Sequence, residues 1–200
     1  MLFRVTIFCF VFLISFKSFA DTTTLRMANW LPPTHPWVLN IMIPWIEKVK
    51  IATEDRINIE ILNAPLGPPP AHFDFAVNGI ADITFGVHNY TAGRFPATKL
   101  AELPFLSNSS EILSVAWQRI YERELLKLNE HKGTHLLGVF THGPGQLWLS
   151  SFHNSLESIK GLKIRIGGGI AQSSAKALGL VPLQAPVTKA YELLSGGVAD

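Results

Sequence analysis

The sequence predicts an α/β protein of two domains, each a mixed, mainly parallel sheet flanked by helices, with the second domain incomplete. Three observations carry this expectation. Short apolar strand patterns alternate with amphipathic helical ones, as parallel sheets with covered faces require. The alternation runs twice, and both passes close on one motif: Asn78-Gly79-Ile80-Ala81-Asp82, then Gly196-Gly197-Val198-Ala199-Asp200. The first pass continues from its Asp82 into a strand, whereas the second reaches its Asp200 at the last residue.

Taken in order, Leu25 to Asn29 reads as a strand and Trp37 to Thr53 as an amphipathic helix. Ile57 to Leu62 alternates as a strand, Ala71 to Asn78 forms a second helix, and Asp82 to Gly86 a third strand. Leu103-Pro104-Phe105 is an extended link. Glu111 to Asn129 is a longer helix, and His135 to Phe140 a strand that completes the first sheet. Thr141-His142-Gly143-Pro144-Gly145 breaks the pattern and marks the crossing between domains. Beyond it come strands Leu147 to Ser150, Leu162 to Ile166 and Val181 to Gln184, with helices Ile170 to Leu178 and Val187 to Ser195. The division expected is a leader over 1–20, a first domain over 21–140 and a partial second domain over 141–200. So few strands in the second domain would leave Ile164, Leu178 and Leu193 uncovered.

The leader has the parts of a secretory signal. Arg4 supplies the positive start, Val5 to Phe16 the apolar run, and Ser18-Phe19-Ala20 the small-x-small cleavage pattern. The only cysteine, Cys9, lies inside it, so the mature chain has no disulfide or thiol chemistry. An exported chain without disulfides suits a bacterial periplasm, where a large core makes staples unnecessary.

The leader carries two bases, Arg4 and Lys17, and no acid; without it fifteen bases face fifteen acids. That balance argues against nucleic acid, whose binders need clustered positive charge. No run of Lys and Arg marks a membrane surface. A small partner is expected.

The stretch Leu162-Lys163-Ile164-Arg165-Ile166-Gly167-Gly168-Gly169 shows what kind. It places a guanidinium at the end of an apolar strand, and that planar fork can hold a carboxylate through two parallel hydrogen bonds. The glycines opening the next helix could admit an anion to free backbone N–H groups. They lack the spacing of a nucleotide-binding loop, and no cofactor is expected.

Other candidates stand at the predicted strand ends. Trp30 follows the first strand and could stack on a ligand ring or pack on Pro32 and Pro33. His88, Asn89 and Tyr90 follow the third strand and offer donors and acceptors, or simply cap the sheet. His142 and Gln146 flank the crossing glycines. Arg94 reads more as a tie for its own loop than as a second clamp. Of seven histidines only His131 and His135 have i, i+4 spacing, and Gly133 between them argues against a helical zinc site; no metal is expected.

Gly79-Ile80-Ala81-Asp82, Gly93-Arg94-Phe95-Pro96, Ala101-Glu102-Leu103-Pro104-Phe105 and Ile159-Lys160-Gly161-Leu162-Lys163-Ile164-Arg165 together resemble one family. It is that of the extracytoplasmic solute-binding proteins of tripartite ATP-independent periplasmic (TRAP) transporters. The resemblance spans Leu25 to Asp200 and implies a two-domain, periplasmic-binding-protein-like (type II-like) fold that closes on its ligand. It further implies an organic-acid ligand, carboxylate capture by Arg165, and membrane subunits of the transporter as partners. Members are usually roughly half as long again as this chain, and their ligand-contacting Asn or Glu falls after Asp200. Sialic-acid-binding members carry a second arginine where this sequence has Gly145, which weakens that assignment.

The expected function is therefore a periplasmic receptor without catalysis. The alternatives are a periplasmic hydrolase-like enzyme and a non-functional fragment of the receptor. Against the hydrolase, no G-x-S-x-G motif is present and no carboxylate pair falls at the predicted strand ends. Export should leave Asp21 at the N-terminus, read by mass analysis of periplasmic material; intact Met1 in the membrane fraction would show an uncleaved anchor instead.

Overall fold

The protein, a computed structural model that describes residues 21–200, contains two separate parallel sheets. The cleavage site expected after Ala20 lies outside the described residues. In the first sheet β1 (Thr23–Ala28) is central, with β2 (Ile57–Ile61) on one side and β3 (Ile83–Thr84) on the other. Met27 faces Ile61 in one ladder and Ile83 in the other, so the middle strand is buried toward its C-terminal end. The second sheet pairs β4 (Lys163–Ile166) with β5 (Val181–Gln184), Arg165 opposite Leu183.

The helices follow the predicted pattern with local departures. The first begins as a widened turn over Val38–Met42, in which the Ile43 N–H reaches Val38 O, and continues as α1 (Ile43–Ala52). Pro44 explains the widening: it has no N–H to donate to the carbonyl four residues back. Next come α2 (His72–Val77) and α3 (Ser110–Ile120), whose start is capped by the Ser109 hydroxyl accepting from Ile112 N–H at 3.3 Å. The helix expected to run on to Asn129 instead passes through a widened turn and a tight one, ending where Asn129 turns left-handed at φ 53°. In the second unit α4 (Ile170–Ala177) and α5 (Ala190–Ser195) flank β5.

The repeat seen in sequence is a repeat in space. After α2 the N–H groups of Ile80 and Ala81 bond Phe75 O, with Gly79 at φ 65°. After α5 those of Val198 and Ala199 bond Leu193 O, with Gly197 at φ 65°. Such a positive φ is where glycine costs least. Each motif then clasps its sheet through the final aspartate. Asp82 N–H donates to Arg26 O at 3.0 Å while the Asp82 carboxylate accepts from Arg26 N–H at 2.7 Å. Asp200 does the same to Lys163, at 2.8 and 2.7 Å.

Two expected strands are absent from the ladders. Residues 135–140 join no ladder; the Gln118 side chain accepts from Val139 N–H, and the Ser114 hydroxyl from Thr141 N–H just beyond. Residues 147–150 make one ladder-like bond, Ser150 N–H to Asp200 O. A strand needs a partner backbone along its length, and these segments face side chains or a single residue.

Three apolar clusters hold the units. Met27, Trp30, Leu31, Val38, Met42 and Ile59 pack α1 on the first sheet. Trp117, Tyr121 and Val139 anchor α3 to the following segment. Ile159, Ile164, Ile166, Ala175 and Leu180 close α4 on the second sheet. Ile164 is therefore not left uncovered, because β4 finds α4 as a lid within its own unit. Leu178 is exposed as expected and Leu193 is half-buried, while the most exposed apolar side chains include Phe105, Trp148 and Phe152, at 101%, 82% and 91% exposure. Core deletions such as Ile164→Ala cost about 2–5 kcal/mol, against about 0–1 kcal/mol for an exposed ion pair such as Lys160–Glu157.

The Arg26 backbone N–H, and then the Arg26 side chain, hold the Asp82 carboxyl below the usual range. Its clasp is fully formed above the unfolded carboxylate value near about 4, and is lost as pH falls through the depressed folded value. Asp82→Ala should melt below wild type at pH 7, and the gap should close in acid below about pH 4. A gap that persists unchanged there would dissociate the clasp from stability.

Candidate functional site

Residues that follow the C-terminal ends of the first-sheet strands meet the end of β4 and the glycine turn after it. Arg165 is half-buried near the end of β4. Its Nε donates to Ala185 O at 2.8 Å and its Nη2 to the Tyr90 hydroxyl at 3.3 Å. The same hydroxyl accepts from Val187 N–H at 3.0 Å. Among the described residues Arg165 has no carboxylate partner, unlike Arg26 and Arg94. A half-buried guanidinium without a counter-ion is unusual, since burial penalises an unpaired charge.

Asn89 and Tyr90 lie along the three glycines. A Cβ on Gly167 would crowd Asn89 Oδ1 and the Tyr90 ring at 3.1 and 3.2 Å. One on Gly168 would overlap the Asn89 carbonyl, and one on Gly169 the Glu102 carboxylate. Gly168 and Gly169 also have φ of 117° and 61°, so both conformation and contact demand glycine. The Asn89 carbonyl accepts from Gln184 Nε2 at 3.4 Å, while Asn89 Oδ1 is buried without a partner. The expectation of an anion at the free start of α4 is overturned. That place is taken by Glu102, whose Oε2 accepts from Ile170 N–H at 2.9 Å.

Trp30 is buried. It stacks on Phe85 at 4.9 Å between centroids, donates its indole N–H to Phe85 O, and stands 6.3 Å from the Tyr90 ring. It thus backs the tyrosine that touches Arg165. Arg94 bonds Asp74 at 2.7 Å and lies over the Phe73 ring, tying down its loop.

His88 turns the other way. Its Nε2 is 2.8 Å from His131 Nε2, and His131 Nδ1 is 2.6 Å from the Tyr121 hydroxyl, with Phe95 against both imidazoles. Burial first, then the neighbouring His131, pushes the His88 pKa down to about 4. Burial lowers that of His131 as well; for Tyr121, burial and then Glu130 raise it. The three rings form a hydrogen-bonded chain, so His88 couples the turn after β3 to the α3 cluster while it also lines the cavity shared by Asn89, Gly169 and Gln184. His142 and Gln146 are not brought to this place. Both are exposed in the segment after Phe140, where His142 bonds the carbonyl of its neighbour Gly143.

The structure adds residues that sequence reasoning left without a role: Glu102, Gln184 and the carbonyl of Ala185. Glu102 is separated from Ile170 by 68 residues, and no local pattern links them. The one available signal was its place in Ala101-Glu102-Leu103-Pro104-Phe105.

Residues 27–200 match the sequence model of the family described as bacterial extracellular solute-binding protein, family 7. A TRAP periplasmic solute-binding protein from Bordetella bronchiseptica, solved with (R)- and (S)-mandelate bound, is similar at 43% identity and TM-score 0.86. The match covers 89% of this chain and 57% of that one. A TRAP solute-binding protein from Rhodoferax ferrireducens, in complex with copurified benzoate, is 30% identical at TM-score 0.80, covering 90% and 56%. An outer membrane transporter protein of Comamonas testosteroni is 26% identical over 182 residues, 90% of this chain and 54% of its own length. The chain thus spans little more than half the length of these relatives. The two solved relatives have the two-domain periplasmic-binding fold, and the matching family is one of solute-binding proteins, which sets the hydrolase alternative aside.

The histidine chain makes a stability prediction. A histidine held neutral by burial stabilises the fold above its unfolded pKa near about 6.5; that stability is lost as pH falls from there toward about 4. Replacing His88 by Leu strands His131 Nε2 and should cost about 1–3 kcal/mol at pH 7 by urea unfolding. The variant should also lose less stability than wild type between pH 6.5 and 4. Parallel pH profiles would contradict the assigned role.

Proposed function

The chain belongs to family 7 of the bacterial extracellular solute-binding proteins, and on that premise we propose that it captures an aromatic or partly apolar organic acid in the periplasm for a TRAP transporter. The observation that carries the proposal is Arg165: a half-buried guanidinium with no protein carboxylate, oriented by Ala185 O and the Tyr90 hydroxyl. Its remaining N–H groups form the fork that binds a carboxylate through two parallel bonds. The Tyr90 hydroxyl accepts from two sides and keeps its own proton to donate to a ligand oxygen.

Tyr90, backed by Trp30 and Phe85, gives the cleft an aromatic wall suited to an apolar ligand body. The mandelate and benzoate in the two solved relatives agree with that class of ligand. Asn89 joins Tyr90 on the cleft side, and the exposed His142 and Gln146 join the site when a ligand draws the crossing segment in. The parts 21–140 and 141–200 act as two closing domains, and closure removes water and so strengthens the arginine contact. The leader over 1–20 directs export. The closed form is presented to the transporter's membrane subunits; no bond is broken.

The test is calorimetric titration of the chain with benzoate and mandelate, with benzyl alcohol as an uncharged control. Both acids should bind and the alcohol should not. Arg165→Lys should weaken binding nearly as much as Arg165→Ala, by roughly 2–5 kcal/mol, because a point charge cannot reproduce the fork. Undiminished affinity in Arg165→Ala would remove the anchor; failure of every acid to bind would remove the receptor reading.

A further inference from the structure

We infer that Glu102 latches the two units together, a positioning residue that sets how firmly the cleft closes without touching the ligand. The inference deepens the receptor reading above and rests on it. Besides the bond between Arg165 and Tyr90, three contacts join the 88–102 stretch of the first unit to the second. The Tyr90 hydroxyl accepts from Val187 N–H at 3.0 Å, the Asn89 carbonyl from Gln184 Nε2 at 3.4 Å, and Glu102 Oε2 from Ile170 N–H at 2.9 Å. Only in the last of these is the acceptor a carboxylate, and hydrogen bonds to ionised groups are roughly twice as strong as neutral ones. Ile170 is also the first residue of α4, where the aligned peptide dipoles favour negative charge.

Glu102 stands apart from the place proposed for the acid. The opening beside Tyr90 is lined by Gly167, Gln184, Ala185 and Pro186, whereas Glu102 lines a second one with His88, Lys99, Gly169 and Gln172. Between the two, the Asn89 carbonyl and the Gln184 side chain fill the space over Gly168. Among the described residues no basic side chain pairs with Glu102, although Lys99 lines the same cavity. Its half-buried carboxylate is thus committed to a backbone N–H of the other unit. Gly169 leaves the room, since a Cβ there would overlap that carboxylate. When the units part, Glu102 and the start of α4 both return to water, so the net gain is modest and release stays possible. A receptor's apparent affinity scales with the population of its binding-competent form, so such a latch strengthens the hold on every ligand by the same factor.

Closure and affinity are read separately. In a Cys9→Ser background the chain has no cysteine of its own, so paired spin labels can be placed at Lys48→Cys on α1 and Lys176→Cys on α4, both exposed. Without ligand, the distance between labels should be longer and more widely spread in Glu102→Ala than with Glu102 intact. Glu102→Gln, which keeps an uncharged acceptor for Ile170 N–H, should fall between them. Benzoate and mandelate should lose affinity by about threefold in Glu102→Gln and about tenfold in Glu102→Ala. The factor should be the same for both acids and appear chiefly as faster release. A residue that merely supported the fold of one unit would leave the distance in folded molecules unchanged. Unchanged distances in both variants, or a loss confined to one acid, would overturn the latch while acid binding upheld the receptor. If Glu102→Ala does not fold, Glu102→Gln decides by the same two readings. Labels that part in the variants of a chain that binds neither acid would support the latch and overturn the receptor reading instead.

Discussion

The contact on which the rest of the site depends is the approach of the Asn89–Tyr90 backbone to Gly167, Gly168 and Gly169. It is possible only because those three positions have no Cβ: the Asn89 carbonyl and the Glu102 carboxylate occupy the space where side chains would stand. From it follow the position of the Tyr90 hydroxyl between Arg165 and Val187, the seat of Glu102 on α4, and the bond from Gln184. Two of the glycines hold positive φ, so substitution there would carry a conformational cost besides the steric one.

Behind that contact the first unit is stiffened in two directions. Trp30 stacked on Phe85 fixes the wall beneath Tyr90 and satisfies its indole N–H within the protein. On the other flank, His88, His131 and Tyr121 link the strand-end turn to the end of α3 through two hydrogen bonds. Interior polar chains of this kind are costly if broken and rigid if complete. The 88–90 turn is thereby set between an aromatic stack and a histidine chain. Of its three residues, His88 bonds the histidine chain, while Asn89 and Tyr90 meet the second sheet.

The charges divide in the same way. Asp82 and Asp200 clasp their sheets, Arg94 ties its loop to Asp74, and Glu102 is spent on a helix start. Arg165 is the half-buried arginine whose fork meets only a carbonyl and a hydroxyl among the described residues.

Much of this was legible in the sequence. Strand and helix periodicity located β1, β2, β4, β5 and their helices, because burial of alternate or i, i+3/i+4 positions is a local property of the chain. The G-x-A-D repeat announced two equivalent glycine-capped helix ends, though not the aspartate clasps that follow them. What the sequence could not decide were matters of distant approach. His88 pairs with a residue 43 positions away, Glu102 with one 68 away, and residues 135–140 find side chains where a ladder was expected. Whether a histidine faces a cleft or a core, and whether a helix start is open or filled, depends on which surfaces pack together. No spacing along a single strand or helix encodes that; only the tertiary structure settles it.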